Sequence, residues 1–314
     1  MLPWIIFIAV IILFLALDLG VFNRKAHVIK TKEAAIWTTV WVVLGLAFSG
    51  VIYYLFSGEL LENPTGLSAR DAVLKYITGY LIELSLSIDN VFVIAVIFSS
   101  FAIPEKYQHR VLFWGILGAI VFRALMIFFG VALINKFDWV IYVFGAFLLY
   151  TAWKMWRHDD TDFNPADSSL MKFLARIFPI TSQRDGESFF IVEAGKKAAT
   201  PLFVALMVIE LTDILFALDS IPAILAITAD PFIVFSSNIL AILGLRSMYF
   251  LISRMLQKFR YINYSLVVIL AFVGIKMLLL DVYHFPEWVS LGVIALALAA
   301  GVIASIIIKP TTAR

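Results

Sequence analysis

The chain has 314 residues, 62% of them hydrophobic and only 15% charged, with a net charge of +2 and a mean hydropathy of +0.98. A soluble globular chain carries about 25% charged and roughly 45–50% apolar residues, so a water-soluble enzyme, a nucleic-acid-binding protein and a disordered linker are excluded. A coiled coil is excluded too, because runs such as 4–17 and 288–308 carry neither charge nor heptad.

The composition points to an all-α polytopic membrane protein, one transmembrane domain over 1–314. Nine apolar helices are predicted, at 3–19, 36–57, 72–99, 111–134, 138–156, 199–228, 234–256, 261–281 and 287–308. Each has about the 20 residues a bilayer needs, or a few more for tilt. The first has no basic segment ahead of it and no small-residue cleavage site, so it is expected to remain a membrane helix. Segments 1–57 and 287–308 read as peripheral helices around the rest.

Basic residues fall in alternate loops: Arg24, Lys25, Lys30 and Lys32, then Lys106 and Arg110, then the 154–198 loop, then Arg254, Lys258 and Arg260, and finally Lys309 and Arg314. The other side has only Arg70 and Lys136. The positive-inside rule then puts the N-terminus outside and the C-terminus in the cytoplasm. Residues 157–198 are expected as a cytoplasmic loop. It opens acidic at Asp159, Asp160 and Asp162, and its stretch 170–178 reads equally as a membrane-surface segment and as part of a tether.

The third and sixth predicted helices share a pattern. Leu-Ile-Glu-Leu-Ser-Leu-Ser-Ile-Asp-Asn (81–90) aligns with Leu-Thr-Asp-Ile-Leu-Phe-Ala-Leu-Asp-Ser (211–220) at an offset of 130, so that Glu83 falls on Asp213, Asp89 on Asp219 and Asn90 on Ser220. At offset 123, Ile116, Leu117 and Arg123 fall on Ile239, Leu240 and Arg246; at offset 122, Lys154-Met155 falls on Lys276-Met277. The units are three helices each, 72–156 and 199–281. An odd number of spans inserts the second unit from the opposite face, which makes an inverted repeat, with the expected site at the interface between repeats near mid-membrane.

Six acids lie within predicted spans short of their terminal residues: Asp18, Glu83, Asp89, Glu210, Asp213 and Asp219; Arg123 and Arg246 lie mid-helix. Each costs roughly 2.5–3.5 kcal/mol on insertion scales, so the set must face inward and pair with itself, water or an ion. Glu210 and Asp213, three apart, share a helix face. Asp89 and Asp219 stand six residues beyond Glu83 and Asp213, about 240° round a regular helix. One shell therefore needs unwinding or convergence of neighbouring helices. Pro222 cannot donate to the carbonyl of Leu218, which favours unwinding there and makes that carbonyl a candidate ligand.

The candidate site is Glu83, Asp89, Asn90, Asp213, Asp219, Ser220 and the Leu218 carbonyl, with Glu210 alongside and Arg123 and Arg246 compensating charge. These are hard oxygen donors, suited to a divalent cation. With no cysteine, and with His27, His109, His158 and His284 outside the apolar runs, an intramembrane metal must use oxygen, which suits Mg²⁺, Ca²⁺ or Mn²⁺. The surplus of carboxylates suits two ions, proton exchange or neutralisation by the arginines. The competing reading is Arg–carboxylate bracing of the bundle. Asp18, beside Arg24 and Lys25, reads as interfacial, and Lys75 as snorkelling outward. No Walker motif, nucleotide loop or intramembrane Ser-His set is present, so no enzyme activity and no cofactor are expected.

Residues 83–93 (ELSLSIDNVFV), 210–224 (ELTDILFALDSIPAI), 228–234 (TADPFIV) and 237–250 (SNILAILGLRSMYF) resemble the TerC family, and within it the Alx-type members, with the likeness running from the first helix to the ninth. The resemblance implies a manganese exporter of the bacterial inner membrane, tied to tellurite resistance, and so favours Mn²⁺ among the oxygen-site ions. Expected partners are the divalent ion, protons and the lipid bilayer, with no nucleic acid. Two other readings stay open: a Ca²⁺ or other divalent cation exchanger, and a non-transporting accessory factor for membrane-protein insertion or stress response.

Overall fold

The computed structural model describes residues 2–17, 29–63, 66–137, 139–157, 179, 181, 186, 188–193, 196–253, 261–279, 282–283 and 285–307; the side chains of Asp89 and Asp219 lie outside that description. Asp18, His27, His158, His284 and the stretch 170–178 are also outside it.

The fold is mostly helical. The helices are α1 (Leu2–Leu17), α2 (Thr31–Ser57), α3 (Ala69–Ser100), α4 (Glu105–Lys136), α5 (Val140–Arg157), α6 (Pro201–Leu225), α7 (Pro231–Leu243), α8 (Leu245–Ile252), α9 (Ile262–Leu278) and α10 (Glu287–Ile307). Every predicted apolar segment holds a helix, while the count of nine spans is matched only in part. Among the described residues, five helices are long and apolar enough by themselves to cross a membrane, and a sixth span arises if α7 and α8, bent by 41°, are taken together. α1 and α9 are short, and α5 ends in Lys154 and Arg157. Large apolar side chains such as Phe128, Leu296 and Ile306 face outward, as lipid contact requires.

Local chemistry sets several boundaries. Ser68 caps α3, its hydroxyl oxygen accepting from the Asp71 amide. Asp230 caps α7, its carboxylate accepting from the amides of Phe232 and Ile233, with Pro231 in the first turn where its missing N–H costs nothing. Two findings differ from the sequence reading. α6 stays helical across Pro222, so the expected unwinding is not there, although Pro222 still leaves the Leu218 carbonyl without an i+4 amide donor. The break falls instead at Gly244, between α7 and α8, where one continuous helix was expected.

The loop reading also missed an antiparallel hairpin, β1 (Phe190–Glu193) with β2 (Lys196–Ala199). It is tied to the start of α6 by Thr200, whose hydroxyl donates to the carbonyl of Ser188. α5 packs along α9, where Gly145 and Gly274 bring the two backbones together. α3 packs on α6, α7 and α2, and α4 packs on α6 and α7. Three apolar clusters surround this four-helix centre of α3, α4, α6 and α7.

Candidate metal centre

The centre of the bundle is organised by Arg123 on α4, whose side chain is 1% exposed. Its guanidinium grips Asp213 on α6 in a two-pronged pair, Nη2 to Oδ1 at 2.9 Å and Nε to Oδ2 at 3.2 Å. Nη1 donates to Glu83 on α3, to Asn238 Oδ1 on α7 at 2.9 Å and to Ser220 Oγ on α6 at 3.4 Å. One arginine thus joins four helices. The planar fork of a guanidinium matches a carboxylate in this way, where an ammonium would not.

The rest of the predicted set lies around this clamp. Glu83 is fully buried, and its Oε2 accepts no hydrogen bond. Glu210 sits against Gly118 of α4, where a Cβ would run into its carboxylate, and its Oε2 also accepts none. Asn90 is buried with an unbonded Oδ1 and shares a small cavity with Asp213. Buried acceptors left unmet are costly, and here they are carboxylate and amide oxygens, the donor set a hard cation takes. Among the described residues, however, no three acidic or histidine side chains converge as a ready metal shell; Arg123 stands between Glu83 and Asp213. The Leu218 side chain is half exposed. Arg246 lines a different cavity, together with Glu33, Trp37 and Trp41.

Three residues near the site had no part in the sequence reading, or a wrong one. Asn238, fully buried, holds the third edge of the arginine; the signal was a lone amide in the apolar run 231–243. Gly118 admits Glu210; the signal was a glycine five residues ahead of a buried arginine. Lys75 does not snorkel outward. Its Nζ donates to the carbonyl of Ile227 at 2.8 Å, tying α3 to the end of α6, because helix-end carbonyls lack amide partners. His109 lies ahead of the apolar run 111–134, as expected, and is buried in the polar first turns of α4. At the rim, outside the spans, burial raises the Asp230 carboxyl pKa, while its two backbone hydrogen bonds and Lys75 oppose the shift.

Residues 68–313 match the family described as integral membrane protein TerC. The chain belongs to the TerC family. It is 52% identical over 304 residues to an uncharacterized membrane protein of Myxococcus xanthus, STKORF319, covering 97% of this chain and 92% of that one. It is 46% identical over 292 residues to Alx of Escherichia coli strain K12, whose name proposes a membrane-bound redox modulator, covering 93% and 90%. A membrane protein of Rickettsia bellii is 41% identical over 306 residues. No solved structure matches. The chain is therefore an integral, multi-pass TerC membrane protein.

Proposed function

We propose that this chain is a secondary transporter that exports a divalent cation from the cytoplasm, Mn²⁺ by its family resemblance, with inward proton movement as the coupling. It would work by alternating access in a bacterial inner membrane, with the N-terminus outside. The observation that carries the reading is Arg123, buried between Glu83 and Asp213 with unmet carboxylate and amide oxygens beside it. Such a cluster in a lipid-facing bundle is costly unless it serves an ion pathway. In this reading the guanidinium is the stand-in charge of a resting state, and the cation replaces it. Glu83, Asp89, Asp213 and Asp219 bind the ion, with Asn90, Ser220, Glu210 and the Leu218 carbonyl completing the shell.

The helix packing supports an inverted repeat. Exchanging α3 with α6, α4 with α7–α8 and α5 with α9 turns the α3–α7 contact into α6–α4, and leaves α5–α9 on itself. Both exchanged contacts are among the most extensive in the bundle. A thiol-based redox role, which the name of Alx brings to mind, has no residue to run on here, because the chain contains no cysteine.

The test is Mn²⁺ flux in proteoliposomes, comparing the chain with Glu83→Gln and Asp213→Asn, with Ca²⁺ and Mg²⁺ as competitors. Saturable uptake should be lost in both variants. Full uptake in both at equal protein levels would end this site assignment. No uptake of any of the three ions by well-folded, oriented protein would favour bracing, and with it the accessory role.

A further inference from the structure

We infer that an access path runs from the Glu33 end of the bundle to Asp213 through two cavities separated by Ile116, and that Ile116 is a hydrophobic gate. The inference rests on the transport reading and names the route to its site.

The larger cavity, about 310 Å³, lies between α2, α4 and α8. Its walls are aromatic, with Trp37, Trp41 and Phe250, and it holds the charges of Glu33 and Arg246. The smaller cavity, about 20 Å³, touches Asn90, Gly115, Thr212 and Asp213. A void needs roughly 10–15 Å³ of this kind to hold one water, and this one has polar groups on its wall, so it suits a water or a stripped ion. Ile116 lines both cavities and is itself buried. A branched aliphatic side chain between two spaces large enough for water closes a path by dewetting and opens it by a small displacement.

The void lies on this side because the two repeats differ in sequence here. The offset that sets Ile116 on Ile239 sets Gly115 on Asn238, and the offset that sets Glu83 on Asp213 sets Ile82 on Thr212. At the Asn238 end the space is filled: Asn238 accepts from Arg123, and Ile82, Ile224 and Ile239 are wholly buried. At the Gly115 end there is no side chain, and the Thr212 hydroxyl turns back to the carbonyl of Val208 at 2.6 Å. The resting molecule is therefore welded on one side of the acids and thinly gated on the other.

The chain has no cysteine, so single thiols can be read without background. Thr212→Cys and Ile82→Cys are made separately in oriented proteoliposomes and exposed to silver ion from either face, and the thiols left unreacted are counted after denaturation. Thr212→Cys should react from the Glu33 face, and Ile82→Cys at least tenfold more slowly. Adding Ile116→Trp should slow the Thr212→Cys reaction at least tenfold, and adding Ile116→Ala should speed it at least tenfold, so one variant suffices if the other does not fold. A rate independent of residue 116, or equal reaction at both thiols, overturns the gate. Thiol reaction requires no transport. A gated path without Mn²⁺ flux in the same vesicles would overturn the transport reading alone.

Discussion

Replacing Arg123 by Met separates a stand-in cation from a brace. Arg123 is almost wholly buried and donates to four side chains on three neighbouring helices. Removing one partner of a buried ionic cluster costs about 3–5 kcal/mol, mostly because the remaining charges are left uncompensated. Here those are the Glu83 and Asp213 carboxylates. With roughly 2 °C of melting temperature per kcal/mol for a chain of this size, Arg123→Met should melt about 6–10 °C lower in metal-free buffer. A cation that takes the vacated place stabilises by about 2.7 kcal/mol at a hundred times its dissociation constant. Added Mn²⁺ should therefore return about half to nine-tenths of the loss. The unsubstituted protein should shift less, since its own arginine must first be displaced. The assay is thermal melting in nanodiscs followed by tryptophan fluorescence, with and without Mn²⁺. A variant that melts low and ignores every divalent ion would refute the stand-in reading and leave bracing.

Two further substitutions probe the surroundings. Gly118→Val should push the Glu210 carboxylate off its seat on α4 and reduce Mn²⁺ flux at least tenfold at unchanged expression; full flux would show that Glu210 has no part in transport. Asp230→Ala should cost about 1 kcal/mol in thermal stability as a lost helix cap, whereas Asp230→Asn keeps the cap. Burial raises the Asp230 pKa, so the folded state holds its proton to higher pH than the unfolded chain does. Its contribution is full at low pH and is lost as pH rises from the ordinary carboxylate range through its elevated one. Asp230→Asn should flatten that part of the melting-temperature profile, and an unchanged profile would show that Asp230 does not cause it.

The elements were legible where physics is local. Apolar runs of bilayer length place every helix, and the acids at 83, 210 and 213 announce themselves by their cost in lipid. The number of spans was less legible, because the described length of α9 and the basic end of α5, Lys154 and Arg157, leave each short of the length and apolarity that mark a span by themselves. Pro222 misled because a proline removes one donor without by itself ending a helix, and α6 continues for three residues beyond it. Pairings across long separations left little trace. Arg123 meets Asn238 over 115 residues and Lys75 meets Ile227 over 152; the lone amide of Asn238 marks a buried polar position without naming its partner, and Ile227 does not differ in type from a lipid-facing residue.

Asn238 gives the sharpest remaining test, because the two readings of Arg123 predict different signs for it. Its Oδ1 accepts from Nη1 at 2.9 Å, and both groups are buried. A hydrogen bond to a charged group contributes about 1.5–3 kcal/mol, so Asn238→Ala should lower melting stability by about that amount under either reading. Under the stand-in reading the same bond also holds the molecule in the state that excludes the cation. An affinity is weakened by the fraction of molecules in the competent state, and 1.4 kcal/mol is about a factor of ten in that fraction. Asn238→Ala should therefore be less stable and yet half-saturate at about tenfold lower Mn²⁺. If Arg123 only braces the bundle, loosening it can disorder the acids but cannot sharpen their affinity. A variant that loses stability with an unchanged or weaker half-saturation in the flux assay would decide for the brace.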